Sequence, residues 1–274
     1  MKNFSKNPII LVGAGKMGGA LLTGWLRNNF PISQLIIQDP NPSPEASDLI
    51  KQYNIAVYTS LDKLSLAPSV IIVAVKPQIV KEVFPPIGRL SNSNTLVISA
   101  VAGCTIESFE KHLQKNTTVV RSIPNTPASI GRAVTTCIAN SCATNKQLAI
   151  CDQIFSSVGE VYWIEDETLM DVITAVSGSG PAYIFFLAEC LKEAAIKLGL
   201  SAELSSKIVN ATVAGAGDLI RVSNITPKIL LDNVTSTGGT THSAMKILMK
   251  EDRFRSTIEE AVIQASRRCR ELSE

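Results

Sequence analysis

Short apolar runs rich in β-branched residues alternate with helical spacing through the first 165 positions of the chain. The runs fall at Ile9–Val12, 35–38, 70–75, 95–101, 117–121 and 133–138, and each has the length and the bounding turn residues of a strand. Strands that alternate with helices predict a parallel sheet wound on both faces. The run 70–75, Val-Ile-Ile-Val-Ala-Val, is apolar at every position, as a central strand covered on both sides requires. Beyond residue 165 the strand signals stop. Helical patterns follow at 167–176, 181–198, 202–223, 227–233, 241–250 and 255–272, with Pro181 placed as a first helical residue, where a missing N–H costs nothing. The expected architecture is α/β: a doubly wound sheet in residues 1–165, then an all-helical unit in residues 166–274. The segment 181–198 is apolar almost all round, through Tyr183, Ile184, Phe185, Phe186, Leu187, Ala188, Cys190 and Leu191. Such a helix must be buried, inside its own unit or against a second subunit, and the small size of the unit predicts a dimer through the C-terminal helices.

Composition narrows the partners. Apolar residues make up 45% of the 274 and charged residues 18%, which provides a large core and points to an extensive subunit interface. The net charge is +2 and no basic stripe is interleaved with aromatics, which argues against nucleic acid. Six cysteines, at 104, 137, 142, 151, 190 and 269, show no CxxC spacing and are expected as free thiols in a reducing compartment. His112 and His242 are the only histidines and belong to no HExxH or Cys/His cluster, so no metal site is expected. Residues 1–8 are polar and the run Ile9–Val12 is far too short for a signal peptide or a membrane span, which predicts a cytoplasmic protein with no membrane partner.

The first chemical motif is Gly13-Ala14-Gly15-Lys16-Met17-Gly18, between the run Ile9–Val12 and a helical pattern over 16–27. This is the dinucleotide fingerprint of a Rossmann domain in its required context, for a nicotinamide or flavin cofactor. Gly13 makes the tight turn, Gly15 admits the pyrophosphate, Gly18 lets helix pack on strand, and the helix N-terminus offers N–H groups to the phosphates. Asp39, about twenty residues on, ends the second strand, where a carboxylate accepts from ribose hydroxyls and repels a 2′-phosphate. That favours NADH, although NADPH stays open. Cofactors in such sheets lie beyond the carboxyl ends of strands, which brings in Ala74, Val75, Lys76 and Pro77 after the third strand, Ala100 and Val101 after the fourth, and Asn125 after the fifth. A surface lysine and plain turns are the ordinary alternatives for Lys76 and Asn125.

The second motif is Val234-Thr235-Ser236-Thr237-Gly238-Gly239-Thr240-Thr241, eight residues of hydroxyls and paired glycines without a charge. Glycines admit a ligand close to the backbone, and hydroxyls with bare N–H groups can hold a carboxylate and a reacting nitrogen; a helix-start loop is the bland alternative. Strong bases are scarce. No Tyr-x-x-x-Lys or His-Asp pairing stands out, and Ser177-Gly178-Ser179-Gly180-Pro181 lacks the spacing of a nucleophile elbow and is expected to be a loop. A site short of bases suits reduction of a C=N bond, because a protonated imine is already electrophilic and needs orientation and one hydrogen bond.

Together these residues resemble the pyrroline-5-carboxylate reductases. The resemblance runs end to end, through 10–18, 74–78, 120–127, DVITAVSGSGPAY at 171–183, DNVTSTGGTT at 232–241, Phe254-Arg255 and Arg270-Glu271-Leu272. It implies reduction of 1-pyrroline-5-carboxylate to L-proline with NADPH or NADH, by a Rossmann domain and a helical dimerisation domain that interlocks two subunits, in some members as a decamer of five dimers. It also implies site roles. Thr241 bonds the ring nitrogen, Ser236, Gly239 and Thr240 cradle the carboxylate, Asn233 reaches the cofactor across the dimer, and Glu167 lies near the substrate. The chain departs from the family pattern at Thr237, where proline is usual, at His242, where an apolar residue is common, and at Met245 and Met249. Two other readings compete. Lys207-Ile208-Val209-Asn210 has the spacing of a β-hydroxyacid dehydrogenase site but lacks the glycines that accompany it, and a dinucleotide-binding sensor without catalysis would have no use for the 236–241 constellation.

Overall fold

The computed structural model describes residues 7–62 and 64–272; the first six residues of the polar start lie outside it. The chain runs β1 (Ile9–Val12), α1 (Lys16–Arg27), β2 (Leu35–Gln38), α2 (Pro44–Gln52), β3 (Ala56–Tyr58), β4 (Val70–Val73), α3 (Val80–Leu90), β5 (Leu96–Ser99), α4 (Ile106–Glu110), β6 (Thr118–Ile123), β7 (Ala133–Ala139), α5 (Asn145–Ser156) and β8 (Gly159–Trp163). After these come α6 (Met170–Ile173), α7 (Gly180–Lys197), α8 (Ala202–Val222), α9 (Pro227–Asn233), α10 (Thr240–Leu248) and α11 (Arg253–Glu271). Contacts divide the chain into one unit up to Ser179 that takes back Ala265 onward, and a second over Gly180–Gln264.

The first unit is the expected wound sheet, with eight strands in the order β3-β2-β1-β4-β5-β6-β7-β8. The reversal of strand order between β1 and β4 opens the crevice where such sheets bind ligands. Its two faces sort alternate residues. Leu11, Ile72 and Ile98 pack with Trp25 and Ile154 on one side, and Val12, Ile71 and Val97 with Phe84 and Phe109 on the other. All of these are fully or almost fully buried, and each large side chain so placed contributes about 1.5–3 kcal/mol.

Three expectations need correction. The sheet is parallel except at β6–β7, because only the short 3₁₀ turn Thr126–Ile130 and Gly131, at φ 72°, join the two, and a connection that short cannot make a parallel crossover. Strands β3 and β8 were not expected. They are the two edges of the sheet; β3 is three residues long and exposed, and β8 has no fully buried position. Third, the segment expected as a loop at 177–181 is helical. Residues Thr174–Gly178 form a wide π turn, with Ser179 N–H donating to Thr174 O at 2.9 Å, and α7 begins at Gly180.

In the second unit α7 and α8 form an antiparallel pair joined through Gly199 at φ 101°, and Ser201 caps α8 by accepting from Leu204 N–H. The helical stretch Glu167–Lys197 is long and apolar enough to cross a bilayer by length and composition, and only 11% of its apolar window is buried within the chain. Burial of α7, required by its sequence, is thus not supplied by the protomer: Phe185 is 64% and Phe186 71% exposed.

Candidate active site

The glycine turn between β1 and α1 has the three features a pyrophosphate cradle needs. Gly13 is left-handed at φ 93°, and a Cβ there would press on Ala74 O at 2.7 Å. At Gly15 a Cβ would meet nothing within 4 Å, so the backbone faces open space where α1 starts without a side-chain cap. At Gly18 a Cβ would strike Gly13 O. Alanine at either outer glycine therefore deforms the turn, whereas Gly15 guards an approach.

Asp39 ends β2 as expected, and its carboxylate is already engaged. Its Oδ2 accepts the N–H of Ala14 at 2.6 Å and its Oδ1 the N–H of Asn41 at 2.8 Å, which ties the second strand end to the glycine turn. Lys16 and Lys76 are exposed, Met17 is half-buried, and Ala74–Pro77 leave β4 in the turn before α3. Ala100 and Val101 follow β5, where Val101 N–H donates to Ser99 Oγ.

Asn125 is 7% exposed. Its Oδ1 accepts Val134 N–H at 3.0 Å, and its Nδ2 donates to Ser177 O at 3.0 Å. The second bond has a cause in the sequence: Ser177 O is the carbonyl that residue 181 would bond in a regular helix, and residue 181 is proline, with no N–H to give. The amide expected to face cofactor or substrate repairs the start of the long helix.

Glu167 likewise has protein partners. Its Oε1 accepts from Ile106 N–H and from Arg121 Nη1, both at 2.9 Å. Arg121 is 2% exposed in the middle of β6, also reaches Asp171 Oδ1 at 3.4 Å, and Asp171 is approached by Arg270 at 3.6 Å. Burial pushes the neighbouring thiols of Cys104 and Cys269 up, so both stay protonated. Sequence reasoning misses this network, although its signal is present: a lone arginine inside the apolar run TVVRSI has to be paired.

The segment 234–241 joins α9 to α10. Gly239 is the N-cap of α10 and no side chain caps that helix, so the N–H groups of Thr240, Thr241 and His242 lack helical partners. Ser236 Oγ lies 2.8 Å from where a Cβ on Gly239 would stand. Asn233 is exposed at the end of α9. Hydroxyls and open N–H groups thus converge on one helix start, which can hold a small anion. Lys207, the lysine of the competing dehydrogenase reading, is exposed and paired with Glu203 at 2.6 Å.

A protein from Pisum sativum described as pyrroline-5-carboxylate reductase is 35% identical over 96% of this chain and 94% of its own. The chain belongs to the pyrroline-5-carboxylate reductase family. The family model described as pyrroline-5-carboxylate reductase dimerisation matches residues 167–272, the span that holds all the bare apolar helices. A model described as NADP oxidoreductase coenzyme F420-dependent matches residues 8–103, the first strands of the sheet and the glycine turn. Two solved reductases of this family superpose over nearly the full chain. The Plasmodium falciparum enzyme, solved with NADP bound, has a TM-score of 0.86 at 29% identity and covers 98% of both chains. The Coxiella burnetii enzyme has a TM-score of 0.86 at 30% identity and covers 98% of this chain and 100% of its own.

Proposed function

We propose that this chain reduces 1-pyrroline-5-carboxylate to L-proline, the last step of proline synthesis, with NADPH or NADH. Full-length similarity to the reductases supports the reaction. The observation on this chain that carries the substrate side is the uncapped start of α10 with its hydroxyls. A cyclic imino acid offers one carboxylate and one ring nitrogen. The carboxylate falls to Ser236, Gly239 and Thr240, through backbone N–H groups and hydroxyls whose positive helix end favours an anion. Thr241 hydrogen-bonds the ring nitrogen and steadies it as it becomes an amine. A threonine hydroxyl is too weak an acid to be the proton source, so the imine binds already protonated or takes its proton from water.

The glycine turn fits a dinucleotide because Gly15 leaves the space open and α1 starts uncapped. Gly13, Ala14, Gly15, Lys16, Met17 and Gly18 would hold the pyrophosphate, with Ala74, Val75, Lys76, Pro77, Ala100 and Val101 along the rest of the nucleotide and Asn233 reaching it across the dimer. When bound, the reduced nicotinamide supplies a hydride. Asp39, fixed by two backbone N–H groups, cannot swing aside for a 2′-phosphate and favours NADH. Asn125 and Glu167 support the site indirectly, through Ser177 and through Arg121.

The domain assignment that goes with this reading is cofactor binding in residues 1–165 and substrate binding with dimerisation in residues 166–274. The working unit is a homodimer through the C-terminal helices, with a decamer of five dimers as the larger assembly, in the cytoplasm. The test is steady-state kinetics on the pure protein with NADPH or NADH and pyrroline-5-carboxylate, beside Thr241→Ala. Wild type oxidises the nucleotide only when the imine is present. Thr241→Ala loses about 100-fold or more in kcat, the scale of one transition-state hydrogen bond, with nucleotide affinity unchanged. A variant with wild-type turnover removes Thr241 from the mechanism, and an inactive wild type removes the proposed reaction.

A further inference from the structure

The four residues Ser236, Thr237, Gly238 and Gly239 make a tight turn closed by the N–H of Gly239, which donates to Ser236 O at 3.0 Å. Gly238 lies at φ 81° and Thr237 is not left-handed, which makes the turn type II. The residue that stiffens such a turn is proline at its second position, because the ring fixes φ there. Thr237 leaves that torsion free.

A second bond takes over. The N–H of Gly238, which has no role in closing a type II turn, donates to Nδ1 of His242 at 3.0 Å. His242 stands four residues on, in the first turn of α10, directly after Thr241. The imidazole therefore ties the middle of the turn to the helix start that presents the hydroxyls and open N–H groups. To accept this bond the ring must be neutral, with its proton on Nε2.

We infer that His242 is the positioning residue of the substrate cradle: its Nδ1 holds the 236–239 turn in the one shape that sets Ser236 and Thr240 around a carboxylate. The inference rests on the assignment of residues 236–241 to the substrate. It gives a distinct pattern of variants. His242→Leu removes the acceptor and raises KM for pyrroline-5-carboxylate about 3- to 10-fold, the worth of one hydrogen bond, with a smaller change in kcat and no change in the Kd for nucleotide measured by fluorescence titration. His242→Asn keeps an acceptor, its Oδ1, at nearly the same place and keeps KM near wild type. Adding Thr237→Pro to His242→Leu restores KM, because a fixed φ does the work of the lost bond.

These kinetics are read together with the ring tautomer of His242 in the wild-type protein, by ¹⁵N NMR. A proton on Nε2 with Nδ1 bare supports the bond. A proton on Nδ1 overturns the inference whatever the variants do, including a His242→Leu protein that fails to fold. A His242→Leu enzyme with wild-type KM also overturns it, as does a raised KM that Thr237→Pro leaves unchanged. Failure of the reaction itself reads differently, as a wild-type protein that does not turn over the imine at all.

Discussion

Asn125 shows how one side chain can be committed before any ligand arrives. Its two bonds satisfy the N–H of Val134 and the carbonyl of Ser177 that Pro181 leaves without a donor. Removing the amide takes a partner from both of these partly buried groups, at about 1 kcal/mol each, the net worth of an ordinary hydrogen bond. Asn125→Ala therefore lowers the urea midpoint clearly, whereas Asn125→Asp keeps the acceptor for Val134 but loses the donor for Ser177. Equal stability of Asn125→Ala and wild type would mean the π turn does not depend on this bond. The type of residue and its place after β6 are visible in the sequence, but its partner is not, since the two lie 52 positions apart and the link exists only once sheet and helix are packed. Asp39 is a similar case: a strand-end carboxylate is legible, but its grip on Ala14 N–H is not.

At the level of elements, the strands most legible in the sequence are those buried on both faces. β1, β4 and β5 are buried at every position, and such strands must be apolar throughout. The missed strands, β3 and β8, are edges: their apolar stretches, Ala56-Val57-Tyr58 and Val161-Tyr162-Trp163, are short and lie largely exposed, unlike the buried runs of the central strands. The direction of β7 is set by the length of its connection rather than by its own residues. Arg121 ties three elements together, β6 to the turn at Glu167 and to Asp171 in α6, with Arg270 of α11 beside them. Replacing a buried arginine leaves two carboxylates facing each other, which costs about 3–5 kcal/mol when a buried pair is broken on one side. Arg121→Met should thus depress the melting temperature strongly, and adding Glu167→Gln should recover part of the loss, because the two changes share one contact. A strictly additive pair of losses would contradict the network.

The whole molecule is defined by what the protomer leaves uncovered. Ile184, Phe185 and Phe186 on α7, Leu219, Ile220 and Val222 on α8 and Ile247 on α10 are between 47% and 74% exposed, all inside the span matched by the family's dimerisation model. An apolar surface of that extent is stable in water only when another surface covers it. Phe186→Asp places a charge on the barest of these aromatic rings and should weaken the dimer by about 2 kcal/mol or more, roughly 30-fold in dissociation constant. Sedimentation over a dilution series would show the monomer–dimer transition displaced to about 30-fold higher concentration than in wild type; an unchanged transition would take Phe186 out of the interface. The sequence already requires a buried α7, and its periodicity cannot say whether the cover comes from the same chain.

The reaction is read most plainly by following the hydride itself. The protein is incubated with pyrroline-5-carboxylate and nicotinamide nucleotide carrying two deuterium atoms at ring C4, in NADH and NADPH forms, and the product is examined by mass spectrometry. L-proline with one deuterium on the ring carbon that had been doubly bonded to nitrogen is expected, formed faster from NADH. Proline without the label, or no proline from either nucleotide, would contradict the proposed reaction.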